Sequence, residues 1–142
     1  MTEKAAREYL NSIAKYEKQL KDKINQILEL KTVAESCTVS PEKENIQSSG
    51  SGDKMANIVG RIVDLEDEIL IIHKLIIARK RIVKEIAGEI DKPHYGQFLV
   101  LRYVDGNGFY DTAAIMNLKD TTAKRMNRKS VAEFSKIYTE KY

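Results

Sequence analysis

The chain has 142 residues, with 24 lysines and arginines against 21 aspartates and glutamates, two prolines and no tryptophan. That length fits one compact domain, or an elongated element plus a small one, and the wealth of Ile, Leu, Lys and Glu argues against a sandwich or barrel and for an all-α fold. The charge is uneven: residues 1–91 hold fifteen basic and sixteen acidic side chains, whereas residues 92–142 hold nine basic and five acidic, with most of the excess between Lys119 and Lys129.

Residues 2–36 carry Leu10, Ile13, Leu20, Ile24, Ile27 and Ala34 at spacings of three, four or seven, with Tyr9, Tyr16 and Leu30 widening the stripe. Lysines and glutamates fill the other face, which predicts a helix with one buried side. Pro41 and the Ser/Gly cluster at 48–52 then break the pattern, so 37–52 reads as a mobile connecting loop, with Ser51 or Asp53 as the N-cap of the second helix. A phosphate-cradling role for this loop lacks both the Gly-x-x-x-x-Gly-Lys pattern and a preceding strand.

The second helix has the most regular spacing in the chain. Met55, Ile58, Ile62, Leu65, Ile69, Ile72 and Ile76, then Val83, Ile86 and Ile90, alternate threes and fours, interrupted only at Arg79. Such a seam predicts coiled-coil packing, with the first helix folding back antiparallel across it. Val59, Val63, Leu70, Leu75, Ile77 and Ile82 lie off the seam, so one partner helix cannot cover everything; either self-association or docking of the C-terminal module would cover the rest, and of the two a homodimer through the hairpin is the expectation. His73 reads as a solvated helix histidine, and Asp64, Glu66, Asp67 and Glu68 as an acidic face rather than a metal site.

A helical hairpin over 1–91 is thus followed by a module over 92–142. Pro93 suits the first position of a helix over 93–104 that buries Phe98, Leu99 and Leu101. Gly106 suits a left-handed C′ position. A short helix over 109–116 follows, with Phe109, Ala113 and Met116 inward, and then a turn at 117–119. Asp120, Thr121 or Thr122 is expected to cap the last helix, which buries Ala123, Met126, Val131, Phe134 and Ile137. Its exposed set is Thr121, Thr122, Lys124, Arg125, Arg128 and Lys129, with Lys119 just before it. That is the pattern of a helix-turn-helix whose last helix enters a major groove, where arginine grips guanine edges and lysine grips phosphates.

Two blocks, QSSGSGDKMANIVGRIVDLEDEI from Gln47 and LRYVDGNGFYDTAAIMNLKDTTAKRMNRKSVAEF from Leu101, resemble a family of small phage and prophage proteins of Gram-positive bacteria. The C-terminal half of that family is similar to region 4 of sigma factors and to phage late-gene regulators of the ArpU and RinA type. The resemblance implies a transcriptional regulator that binds double-stranded promoter DNA, with host RNA polymerase as a second partner. The chain departs from the family pattern at Thr112 (usually aliphatic), Asn117 (usually Gly), Lys119 (usually a Ser or Thr cap) and Ala123 (usually Val or Ile).

Two other functions compete: a packaging subunit resembling small terminases, and a degenerate helix-turn-helix acting as an inhibitory protein-contact factor. An enzyme is not expected. No Ser/His/Asp or Cys/His arrangement is evident, and one cysteine with two histidines in separate elements cannot build a standard zinc site, so no metal or cofactor is expected either. The lone Cys37 excludes an internal disulfide and points to a reducing compartment, here the bacterial cytoplasm. MTEKAAREYL lacks a signal-peptide core, and the apolar run 69–77 is too short to span a bilayer, so no membrane role is expected.

Overall fold

The computed structural model describes the backbone of residues 1–38 and 48–142, with side chains over 1–36 and 52–142. The described residues form α1 (Glu3–Thr38), α2 (Ser48–Glu89), α3 (Pro93–Leu99), α4 (Phe109–Ile115) and α5 (Asp120–Lys141), with a π-helical turn, Val100–Val104, continuing α3. No strand occurs among them, in keeping with the all-α expectation.

The ends of the first two helices differ from the reading of 37–52 as loop. α1 runs to Thr38 and α2 begins at Ser48, so Asp53, expected as a cap, lies exposed inside α2. The middle of that expected mobile loop, 39–47, lies outside the described residues. Serine and glycine cost a helix at most about 1 kcal/mol each, which does not stop one whose following turns are anchored by half-buried Met55 and buried Ile58.

Packing divides the chain into one unit of Met1–Tyr16 with Leu75–Tyr142, and another of Glu17–Lys74, rather than at the break in pattern between 91 and 92. In the Glu17–Lys74 unit, Ile27 of α1 and Ile58 and Leu65 of α2 are buried. Lys23 of α1 donates to Glu68 of α2 at 2.8 Å. Ile24, expected in the buried stripe, is exposed; it shares a seven-residue line with Glu17 and Lys31, at the margin of the seam.

In the other unit a single core draws on four elements and the π turn. Ala6, Leu10 and Ile13 of α1 meet Val83 and Ile86 near the end of α2 and Ile90 just beyond it; Leu99, Tyr103 and Val131 join them, with Phe134 fully buried. Tyr9 extends this core by packing its ring 5.8 Å from Phe134 and 5.4 Å from Tyr138, within the range of favourable tilted aromatic pairs. Thr2 caps α1, its Oγ1 accepting from the Ala5 amide at 3.1 Å. Arg79, which interrupts the α2 seam, lies 4.6 Å from the Tyr9 ring centre and 5.1 Å from that of Tyr16, and donates to the Ser12 hydroxyl. A guanidinium between two tyrosine faces keeps its charge solvated by π electrons while its stem fills the seam.

The π turn follows from the same core. Its backbone bond, Asp105 amide to Val100 carbonyl at 2.8 Å, spans five residues and widens the helix. Tyr103 and Val104, four and five residues past Leu99, are then both buried. Tyr103 donates to Asn127 Oδ1 at 3.0 Å, tying this turn to α5. Gly106 takes φ +79, as its expected C′ role requires, and the Asn107 backbone and side-chain amides both return to the Leu101 carbonyl.

Gly96 sits where α3 crosses the end of α2. A β-carbon there would run into the Ala87 carbonyl, whose carbon is 3.1 Å away and whose oxygen is nearer still. Gly96→Ala should therefore lower stability by about 1–3 kcal/mol, the usual cost of forced overpacking, despite alanine's better helix propensity; urea unfolding measures it. Burial raises the Tyr103 phenol above its ordinary value. The folded chain thus holds this proton more tightly than the unfolded one, a contribution complete below about pH 10 and lost as pH climbs through the folded value. Alkaline unfolding should accordingly steepen above about pH 10, and Tyr103→Phe should flatten that limb while losing about 1 kcal/mol at neutral pH.

Candidate nucleic-acid interface

The surface begins at the turn that aims α5. Thr112 and Ala113 of α4 are buried, and the Thr112 hydroxyl donates to the Gly108 carbonyl at 2.9 Å. The polar group at this position is thereby satisfied within its own helix, and its methyl is free to pack. At the end of α4 the Leu118 amide bonds the Ala113 carbonyl at 2.8 Å, and the Asn117 amide bonds that of Ala114 at 3.2 Å. These two bonds define a Schellman motif, with Asn117 as the left-handed C′ residue at φ +54 and Leu118 as its half-buried apolar partner. Asparagine thus occupies a position where glycine carries no steric cost, and it is the residue that tolerates the conformation next best.

The start of α5 differs from the expected capping. The N-cap is Lys119, with extended backbone and no side-chain bond to the helix; its carbonyl accepts from the Ala123 amide at 2.8 Å. Asp120, Thr121 and Thr122 lie one, two and three residues too far in, because the Schellman turn delivers the chain into the helix at 120. Asp120 still places a carboxylate in the first turn, where the helix dipole favours it.

Along α5, Ala123, Ser130, Val131, Phe134 and Ser135 are buried, whereas Thr121, Thr122, Lys124, Arg125, Arg128 and Lys129 are all exposed, as is Lys119. At about 100° per residue the six exposed helix positions fan over roughly 160°, with Arg125 near the middle and opposite the buried stripe. They fall into two strips. Thr122, Arg125 and Lys129 line a shallow hollow of about 200 Å³ together with His94 and Tyr95 of α3. Thr121, Lys124 and Arg128 run along the other side and do not reach this hollow. Among the described residues, none of Lys119, Lys124, Arg125, Arg128 and Lys129 forms an ion pair, so these charges remain free to meet phosphate.

Lys92 and His94 are cationic or titratable neighbours that the sequence pattern did not single out. Lys92 lies 5.4 Å from the Tyr95 ring centre and lines a second hollow of about 360 Å³ with Lys129, Asp91 and Glu133. The signal present in the sequence was Pro93, which fixes where α3 starts; that α3 lies beside the basic half of α5 depends on tertiary packing. The arrangement offers hydrogen-bond donors and positive charge on a convex helix face. It can hold an anionic backbone and present arginine to base edges.

The turn can be tested by itself. Asn117→Gly should leave stability unchanged or raise it slightly, whereas Asn117→Ala should cost about 1–2 kcal/mol for the left-handed backbone; thermal unfolding of the two variants measures the difference. Compared with protein-family models, curated proteins and solved structures, the chain has no match.

Proposed function

We propose that this chain is a sequence-specific double-stranded-DNA-binding protein, a regulator of late phage transcription in the bacterial cytoplasm. α4, the turn at 116–119 and α5 would act as its helix-turn-helix. One observation carries the reading: α5 presents Lys124, Arg125, Arg128 and Lys129 exposed and, among the described residues, in no ion pair, centred near Arg125 opposite the buried Phe134 and directly after a four-residue turn with a left-handed residue. A solvated charged face ordinarily mixes signs; between Asp120 and Glu133 the only charged side chains of this one are lysines and arginines. Host RNA polymerase as a second partner rests on the resemblance to sigma region 4.

In this reading Arg125 reads a base edge from the centre of the face. Lys124 and Arg128 on one strip, and Lys129 on the other, hold the two phosphate backbones flanking the groove, with Thr121 and Thr122 near bases or phosphates. Binding of the chain to tiled duplexes from the encoding genome tests it. One tile should be retained at physiological salt, and Arg125→Ala should weaken that tile by about 1–3 kcal/mol while hardly affecting the rest. Lys124→Ala should weaken all duplexes alike and reduce the salt slope by about 1. Uniform binding that vanishes with salt would overturn the reading in favour of a protein-contact role for α5.

A further inference from the structure

The side of α2 turned away from its buried stripe carries a second set of large apolar side chains. Val59, Val63 and Leu70 are about half exposed, and Ile71 is 68% exposed. Val63 and Leu70 stand seven apart with Val59 one turn earlier, which places the three on one line along the helix.

Charge is ordered about this line. Asp67 and Lys74 flank it on one side, each four residues after an apolar position; Glu66 and His73 flank it on the other, each three residues after. On both sides the acid precedes Leu70 and the base comes after it. Glu68, next in the acidic run, instead takes Lys23 of α1 at 2.8 Å. Glu66, Asp67, His73 and Lys74 are all exposed, and among the described residues none of them forms an ion pair.

A helix with this pattern is complementary to itself in one orientation. With a second copy antiparallel and a two-fold axis at Leu70, Leu70 meets its own copy and Val63 comes opposite Ile77 of the second copy, which is also exposed. Asp67 then meets Lys74 of the second copy and Glu66 meets its His73, each pair occurring twice by symmetry. Parallel and in register, acid would lie beside acid and base beside base. We infer that a second copy of this chain docks antiparallel on this face of α2, about a two-fold axis at Leu70. The Val63 and Leu70 line holds it, and the flanking pairs set its direction. The inference is independent of the nucleic-acid reading.

Sedimentation equilibrium of the full chain tests it. Dimers should form at micromolar concentration. Asp67→Lys and Lys74→Asp should each weaken dimerisation about tenfold or more by setting like charges opposite. The combined swap should restore it to within about threefold. These positions are exposed, so circular dichroism should report unchanged helix content. In a Cys37→Ser background, Leu70→Cys should give a disulfide-linked dimer on mild oxidation. Val63→Cys should not, because the axis separates its two copies by about 20 Å. A chain that stays monomeric at about 100 µM, a swap that fails to restore dimers, or Val63→Cys linking as readily as Leu70→Cys overturns the inference.

Discussion

Phe134 is the residue around which the C-terminal half is assembled. It lies on α5, one turn beyond its basic stretch, and it is buried against side chains from the first turns of α1 and the last turns of α2. Burying a phenylalanine stabilises by about 1.5–3 kcal/mol from area alone. Here that burial also fixes which side of α5 faces out. Turning α5 to hide Arg125 would expose Phe134, Val131 and Ala123 together, so the cationic face is held outward by the core behind it. The presentation of Lys124, Arg125 and Arg128 is thus a packing property as much as a compositional one.

Two local devices supply the remaining constraint. Gly96 lets α3 approach the α2 backbone within a distance that no β-carbon allows, which brings His94 and Tyr95 beside the basic strip of α5. The π turn at Val100–Val104 brings Tyr103 into hydrogen-bond contact with Asn127. Each links α5 to the elements before it, one through shape and the other through a directional bond. The short α4 has little of its own to bury, and its position depends on Thr112 and Ala113 beneath and on the Schellman bonds at its end.

Much of this was legible in the sequence. The three-and-four spacing of α2 foretold the buried Ile58, Leu65, Ile76, Val83 and Ile86, and Gly106 foretold a left-handed residue. Every exposed position assigned to α5 is exposed. The features that escaped the pattern did so for physical reasons. Arg79 reads in sequence only as a gap in a heptad, because its partners Tyr9, Ser12 and Tyr16 are more than sixty residues away. The break at 91 looked like a boundary because Pro93 and a change of period mark it, yet core side chains cross it freely. Lys119 became the N-cap because the turn before it, built on an asparagine in a glycine-like conformation, ends one residue earlier than capping preference alone suggests. Periodicity reports which face is apolar, but not which distant face covers it.

The core that joins residues 6–13 to residues 131–134 also has a consequence for how the chain is made. At ordinary rates of translation, the stretch between Leu10 and Phe134 takes on the order of 10 s to synthesise. Throughout that interval the apolar side of the first turns of α1 has no Phe134 or Val131 to rest on. The pairing of α1 with α2 can form while the ribosome is still at work, but the core that holds the basic helix can close only after Phe134 has been made. For that interval a nascent chain offers chaperones, and other nascent copies, an apolar patch that the finished fold hides.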